Sequence, residues 1–213
     1  NALNPHSLAA IERALDEVEG GGARGVVLTG YERFFSAGLD LVHLYGLERD
    51  AMDAFMAWFD SVMLRVFAFP RPVVAAVAGH AVAGGAILAL ACDVRVMGAS
   101  AGRFGLNEIR LGVPFPASAL EIARHAVPAG SVAEVLCEGE LFDPRAALAR
   151  GLVTEVWTVT SWKQPVGPVS ASRRRRPTRS RPSKWPSTGP PWSARERRVS
   201  RSGARSWMPR TRP

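Results

Sequence analysis

Three observations on this sequence predict an α/β layer fold with mainly parallel strands. Short apolar runs bounded by Gly or Pro recur at 25–30, 73–77 and 94–97. Between them lie stretches whose apolar residues fall at helical spacing, and the two patterns alternate along the chain. Parallel pairing through right-handed crossovers follows from that alternation.

Taken in order, Asn4-Pro5 reads as an N-cap followed by Pro at the first helical position. Leu8, Ile11, Leu15 and Val18 then form an apolar stripe until Gly20-Gly21-Gly22 ends it. The run Gly25 to Gly30 predicts a strand buried on both faces, and a loop holding Phe34 to Leu41 follows. A second helix is expected from about Arg49 to Phe69, with Met52, Phe55, Phe59, Val62, Met63 and Val66 inward and Pro70 beyond its end. Next come a strand Val73 to Val77, a Gly-rich turn Gly79 to Gly85, a small-residue helix Gly84 to Ala91 and a strand Val94 to Met97. Helices are expected at Ala117 to Ala126 and Ser131 to Cys137, and a third is capped by Asp143-Pro144 and runs through Arg150. The last expected strand is Val153 to Val156.

The charge divides the chain in two. Residues 1–158 carry 12 Arg, no Lys and 18 acidic residues, a net of −6, whereas residues 159–213 carry 13 Arg, 2 Lys and Glu196 alone, a net of +14. The second stretch also has 10 Ser, 9 Pro and 4 Trp without Leu, Ile or Phe, so it cannot supply a packed core. The expected organisation is therefore a working domain over 1–158 and a low-complexity, disordered tail over 159–213. Cys92 and Cys137 lack metal or disulfide spacing, which excludes a zinc finger and a disulfide scaffold and points to a reducing cytoplasm. No apolar run is long enough to span a membrane.

Three segments carry candidate chemistry. In Ala81 to Ala86 two adjacent glycines open an apolar helix, so backbone N–H groups there can approach a ligand at a positive helix end. The spacing is neither that of a Walker loop nor G-x-G-x-x-G. Ser36-Ala37-Gly38-Leu39-Asp40 follows a strand and likewise frees backbone donors. Two such loops can converge on one carbonyl oxygen and stabilise an enolate or tetrahedral intermediate. In Phe104 to Gly112 a single carboxylate, Glu108, stands among apolar neighbours. If buried, it has a raised pKa and exchanges protons near neutrality; if exposed, it pairs with Arg110 or Arg103. His80 has no nucleophile at a recognisable elbow, and His6, His43 and His125 read as surface or packing residues. The Met and Phe stripe at 52–66 reads as core rather than pocket lining.

In combination, Phe35 to Leu41, Gly79 to Asp93 and Phe104 to Gly112 resemble the enoyl-CoA hydratase/isomerase family, the crotonases, in order and approximate spacing, over Asn1 to about Val156. The resemblance implies a crotonase-like (ClpP/crotonase) spiral of β-β-α units, here lacking the strand or hairpin that precedes the Asn-Ala-Leu-Asn segment. It implies that the N–H groups of Leu39 and Gly84 form an oxyanion hole for an acyl-CoA thioester, with Ala37, Gly38, Asp40, Leu41 and Asn107 lining the substrate cleft. Family hydratases use two glutamates; Ile87 stands at the position of one and Glu108 matches the other. The setting around Asn107-Glu108 is similar to the branch of Δ3,Δ2-enoyl-CoA isomerases that works with one glutamate. Hydratase, thioester hydrolase and other CoA-dependent lyase activities share the same oxyanion hole. No metal or redox cofactor is implied, because coenzyme A enters with the substrate.

The family ends in helices that build trimers and hexamers, and residues 159–213 do not resemble them. Their abrupt composition is what a reading-frame change in a GC-rich coding sequence produces. As an alternative, the tail is a polyanion binder, holding nucleic-acid phosphates and stacking bases on Trp, attached to an inactive fragment.

Overall fold

The computed structural model describes residues 1–100 and 102–158; the predicted basic tail lies outside them. The first helix, α1 (Pro5–Gly20), starts as its sequence predicts. Asn4 accepts a hydrogen bond from the Ser7 amide at 3.1 Å, and the Ser7 hydroxyl accepts one from the Asn4 amide at 2.9 Å, a reciprocal cap. Leu8 and Leu15 from its stripe are buried. A short strand, β1 (Ala2–Leu3), precedes it.

The strands then alternate between two parallel sheets. β2 (Val26–Thr29), β5 (Val73–Val77), β7 (Val94–Gly98) and β9 (Glu155–Trp157) form one, in the order β2-β5-β7-β9. β3 (Phe34–Ser36), β6 (His80–Val82) and β8 (Phe104–Gly105) form the other, in the order β3-β6-β8. The chain thus lays one strand in the first sheet, the next in the second, and then enters a helix. β5 and β6 lead into α4 (Gly84–Ala91), and β7 and β8 lead into α5 (Glu108–Leu111). After β3, β4 (Gly38–Leu39) pairs with β1, followed by α2 (Leu41–Tyr45) and α3 (Arg49–Phe67). The predicted α/β spiral of β-β-α units is present in these turns.

The central helix α4 is buried along its whole length, so its small residues and two glycines let β3 and β6, the β1–β4 pair, α3 and α6 (Ala117–Ala126) approach it. Phe59, Val62, Met63 and Val66 of α3 pack in the core with Val73, Ala75 and Val77 of β5. α6, α7 (Ala129–Cys137) and α8 (Pro144–Ala149) complete the described chain.

The structure departs from the sequence reading where local pattern is weakest. β2 is an edge strand, and Val27 is 66% exposed, so it is not buried on both faces. The stretches expected as loop and turn contain β3, β4 and β6, each only two or three residues long, too short for periodicity to register. The second helix stops at Phe67 rather than Phe69. The final strand begins at Glu155, because Val153 turns inward as part of the core. Among the described residues no helix is long and apolar enough to cross a membrane.

Candidate active site

The loop that follows β3 is held by β1. The Ala37 amide donates to the Asn1 carbonyl at 3.1 Å and the Asp40 amide to the Leu3 carbonyl at 3.0 Å. Gly38 has φ +86, and a Cβ there would meet the Val82 oxygen at 3.0 Å and the Gly84 nitrogen at 3.1 Å. Only glycine combines that backbone with that approach.

The turn into α4 forms the facing wall. Ala83 adopts φ 50, ψ −127, a region costly for a residue with a Cβ, and its amide donates to the Gly105 carbonyl at 3.0 Å. This geometry makes Gly84 the first residue of a helix whose leading N–H groups have no intrahelical acceptor. Their partial positive charge is available to an oxyanion.

Glu108 opens α5, which ends after one turn at Gly112 in the left-handed conformation. The Glu108 side chain is 7% exposed, and its Oε2 has no hydrogen-bond partner. Burial pushes its carboxyl up to about 7, because the charged form loses hydration. Among the described residues no arginine forms an ion pair with it: Arg110 turns instead to the Glu138 carbonyl and to Glu140, and the Arg103 charge acts on Asp143. Asn107 Oδ1 is a second buried oxygen without a partner.

These segments meet in a mainly apolar cavity of ≈ 120 Å³. Ala37, Leu39, Leu41, Gly84, Asn107 and Glu108, all expected at the site, line it together. Gly38 and Asp40 are not among the lining residues; Gly38 lies against the Val82 oxygen and the Gly84 nitrogen, and Asp40 caps α2. The Asp40 carboxylate accepts from Asn4 Nδ2 and from the His43 amide, each at 3.2 Å, and these bonds hold its pKa below the ordinary aspartate value. Phe59 and Met56 of α3 also line the cavity, so the apolar stripe serves both core and pocket. Ile87 lies against the same space, 1% exposed. Leu111, Val113, Pro114, Pro116 and Ala119 also line it. The sequence reading did not single them out; the Pro114-Phe115-Pro116 segment after Gly112 was the available signal. His80 stacks near Phe34 and takes no place in the cavity.

A sequence model of the enoyl-CoA hydratase/isomerase family matches residues 1–164. The chain belongs to that family. Among its enoyl-CoA hydratase/isomerase relatives, the 2,3-dehydroadipyl-CoA hydratase of Escherichia coli is 35% identical over 158 residues, which cover 74% of this chain and 61% of that protein. The mitochondrial enoyl-CoA delta isomerase 1 of Mus musculus is 33% identical over 159 residues, covering 73% of this chain and 55% of its own. A crystal structure of an enoyl-CoA hydratase/isomerase family protein from Pseudomonas syringae superposes with a TM-score of 0.70 at 31% identity, covering 75% of this chain and 69% of that one. The chain spans less than two thirds of the length of the E. coli and mouse relatives. The crotonase-like fold is shared with these structures, and the hydratase and isomerase names both occur among the relatives.

Proposed function

We propose that this chain shifts a carbon–carbon double bond in an acyl-CoA thioester, converting 3-enoyl-CoA to 2-enoyl-CoA with Glu108 as the single acid/base. The observation that carries the reading is the pairing of a buried carboxylate, unpartnered at Oε2, with an aliphatic side chain, Ile87, elsewhere on the cavity wall. Glu108 removes a proton from C2, and the C–H electron pair enters a dienolate whose negative charge rests on the thioester oxygen. The N–H groups of Leu39 and Gly84 stabilise that oxygen, each donor lowering the barrier by about 3 kcal/mol. Protonated Glu108 then delivers the proton to C4, which leaves the double bond conjugated with the thioester. A carboxyl that titrates at about 7 suits both halves of this cycle, since it gives and takes a proton at comparable cost. Coenzyme A enters as part of the substrate, and no further cofactor takes part. The proposed location is the cytoplasm, and the proposed assembly for the intact family architecture is a homotrimer or hexamer.

A second reading, hydration of 2-enoyl-CoA, is favoured by one feature, the unpartnered Oδ1 of Asn107 beside Glu108. Two buried acceptors together can seat a water molecule.

Incubation of the purified chain with 3-enoyl-CoA and, separately, with 2-enoyl-CoA distinguishes the readings. Appearance of the conjugated thioester absorbance without 3-hydroxyacyl-CoA supports the isomerase. Hydration without isomerisation moves the assignment to the second reading, and a folded chain inert to both substrates overturns both.

A further inference from the structure

Burial divides the cavity lining into two ends. Phe59, Ile87 and Ala119 are 1%, 1% and 2% exposed, whereas Leu41 and Leu111 are 47% and 54% exposed. The first group marks the closed end and the second the mouth. Two of the closed-end residues have polar neighbours in sequence that are hydrogen-bonded to each other across two helices. Asp60 follows Phe59 on α3, Ser118 precedes Ala119 on α6, and the Ser118 hydroxyl donates to the Asp60 carboxylate.

We propose that this Asp60–Ser118 hydrogen bond is a specificity clasp that sets the acyl-chain length the cavity accepts. The inference rests on the reading of the cavity as an acyl-CoA site. Ser118 is 8% exposed, and a buried hydroxyl is costly unless paired. Alanine would fill the position without that cost, so the hydroxyl has a structural consequence: it ties α6 to α3. Elsewhere these helices contribute apolar side chains to the same core, whose contacts are non-directional and permit small slides, and a ring contact between Phe67 and His125 joins them only near their C-terminal ends. A directional bond between the residues adjoining Phe59 and Ala119 holds those two side chains at one separation. That separation bounds the space left for the end of an acyl tail. Because a methylene that fits or fails to fit an apolar pocket changes selectivity at least about tenfold, a small relaxation of this wall is enough to change chain preference. Asp60 and Ser118 do not line the cavity and take no part in the proton transfer, so they are positioning residues.

The test is the affinity of the whole chain for a series of saturated, unreactive acyl-CoA thioesters of increasing length, measured by calorimetry, with turnover of the matching 3-enoyl-CoA series in parallel. In Ser118→Ala and Asp60→Ala the preference moves to longer chains, with the long-to-short affinity ratio rising roughly tenfold. Ser118→Thr and Asp60→Asn retain the bond and the wild-type profile. A merely structural bond lowers thermal stability but leaves the chain-length profile in place; that result, or a Ser118→Thr profile identical to that of Ser118→Ala, overturns the clasp. Acyl-CoA binding by the wild type without turnover overturns the isomerase reading alone, while the binding profiles still decide the clasp. A wild type that binds no acyl-CoA overturns both.

Discussion

Gly38 lies against Gly84: a Cβ built on the first would stand 3.1 Å from the nitrogen of the second. The two loops that carry the candidate oxyanion donors therefore meet backbone to backbone, and their spacing depends on the absence of one side chain. Gly38→Ala adds both a steric conflict and an L-residue at φ +86. We expect a loss of about 2 kcal/mol in stability and roughly a hundredfold fall in turnover from displaced donors. Denaturant unfolding and steady-state kinetics check both, and wild-type activity in Gly38→Ala would falsify the placement of Leu39 and Gly84 as paired donors.

Ala83 is the converse case, a Cβ held where glycine is at ease. Relief of strain of about 1–3 kcal/mol outweighs the extra unfolded-state freedom of glycine, about 0.4–1 kcal/mol. Ala83→Gly is expected to gain about 1 kcal/mol, visible as a rise of about 3 °C in Tm. An unchanged or lower Tm would mean that the methyl group contributes packing that exceeds the strain.

Glu108 couples pH to activity. As a base it must be ionised, so turnover of 3-enoyl-CoA should rise with pH and level off above its pKa of about 7. Glu108→Gln should lower turnover by roughly 10²- to 10⁴-fold while retaining affinity for the thioester. A pH profile that is flat from acid to alkaline pH, or a Gln variant of full activity, assigns the base to another group.

The same carboxyl couples pH to stability. Its pKa is about 7 when folded against an ordinary value of 4.5, so across that window the native state binds more protons than the unfolded state. Stability therefore declines as pH rises from the lower value to the higher, with about 3 kcal/mol lost above the window. Glu108→Gln removes the titration. It should melt close to wild type in mild acid and clearly above it at alkaline pH, and parallel Tm curves for the two proteins would contradict the raised pKa.

Asn4 links the start of α1 to the site loop. Its Oδ1 caps the helix, and its Nδ2 donates to Asp40 at 3.2 Å. Asn4→Ala should cost about 1–2 kcal/mol and raise the Asp40 pKa toward the ordinary aspartate value, which chemical-shift titration reads directly. A stability change near zero would show that β1 pairing alone holds this corner.

Much of this molecule is legible from local pattern. The cap at Asn4-Pro5, the buried strand at Val73–Val77 and the small-residue helix at Gly84–Ala91 follow from propensity and period, which act over a few residues. Leu39 and Gly84 stand out only through the resemblance of their segments to the family, and Glu108 as a lone carboxylate whose burial the sequence leaves open; the fold places all three on one cavity. Other features required the fold. β3, β4, β6 and β8 are too short to have a period and exist because parallel partners bring them into register. The exposure of Val27 beside buried Val26 depends on which face of β2 is covered, which only the packing decides. Arg110 stands two residues from Glu108 yet turns to Glu138 and Glu140 on a remote segment, and only packing decided that choice and the apolar wall around Glu108. The roles of Asp40 and of the Asp60–Ser118 pair arise in the same way, since a polar side chain takes its function from the partner that tertiary structure places beside it.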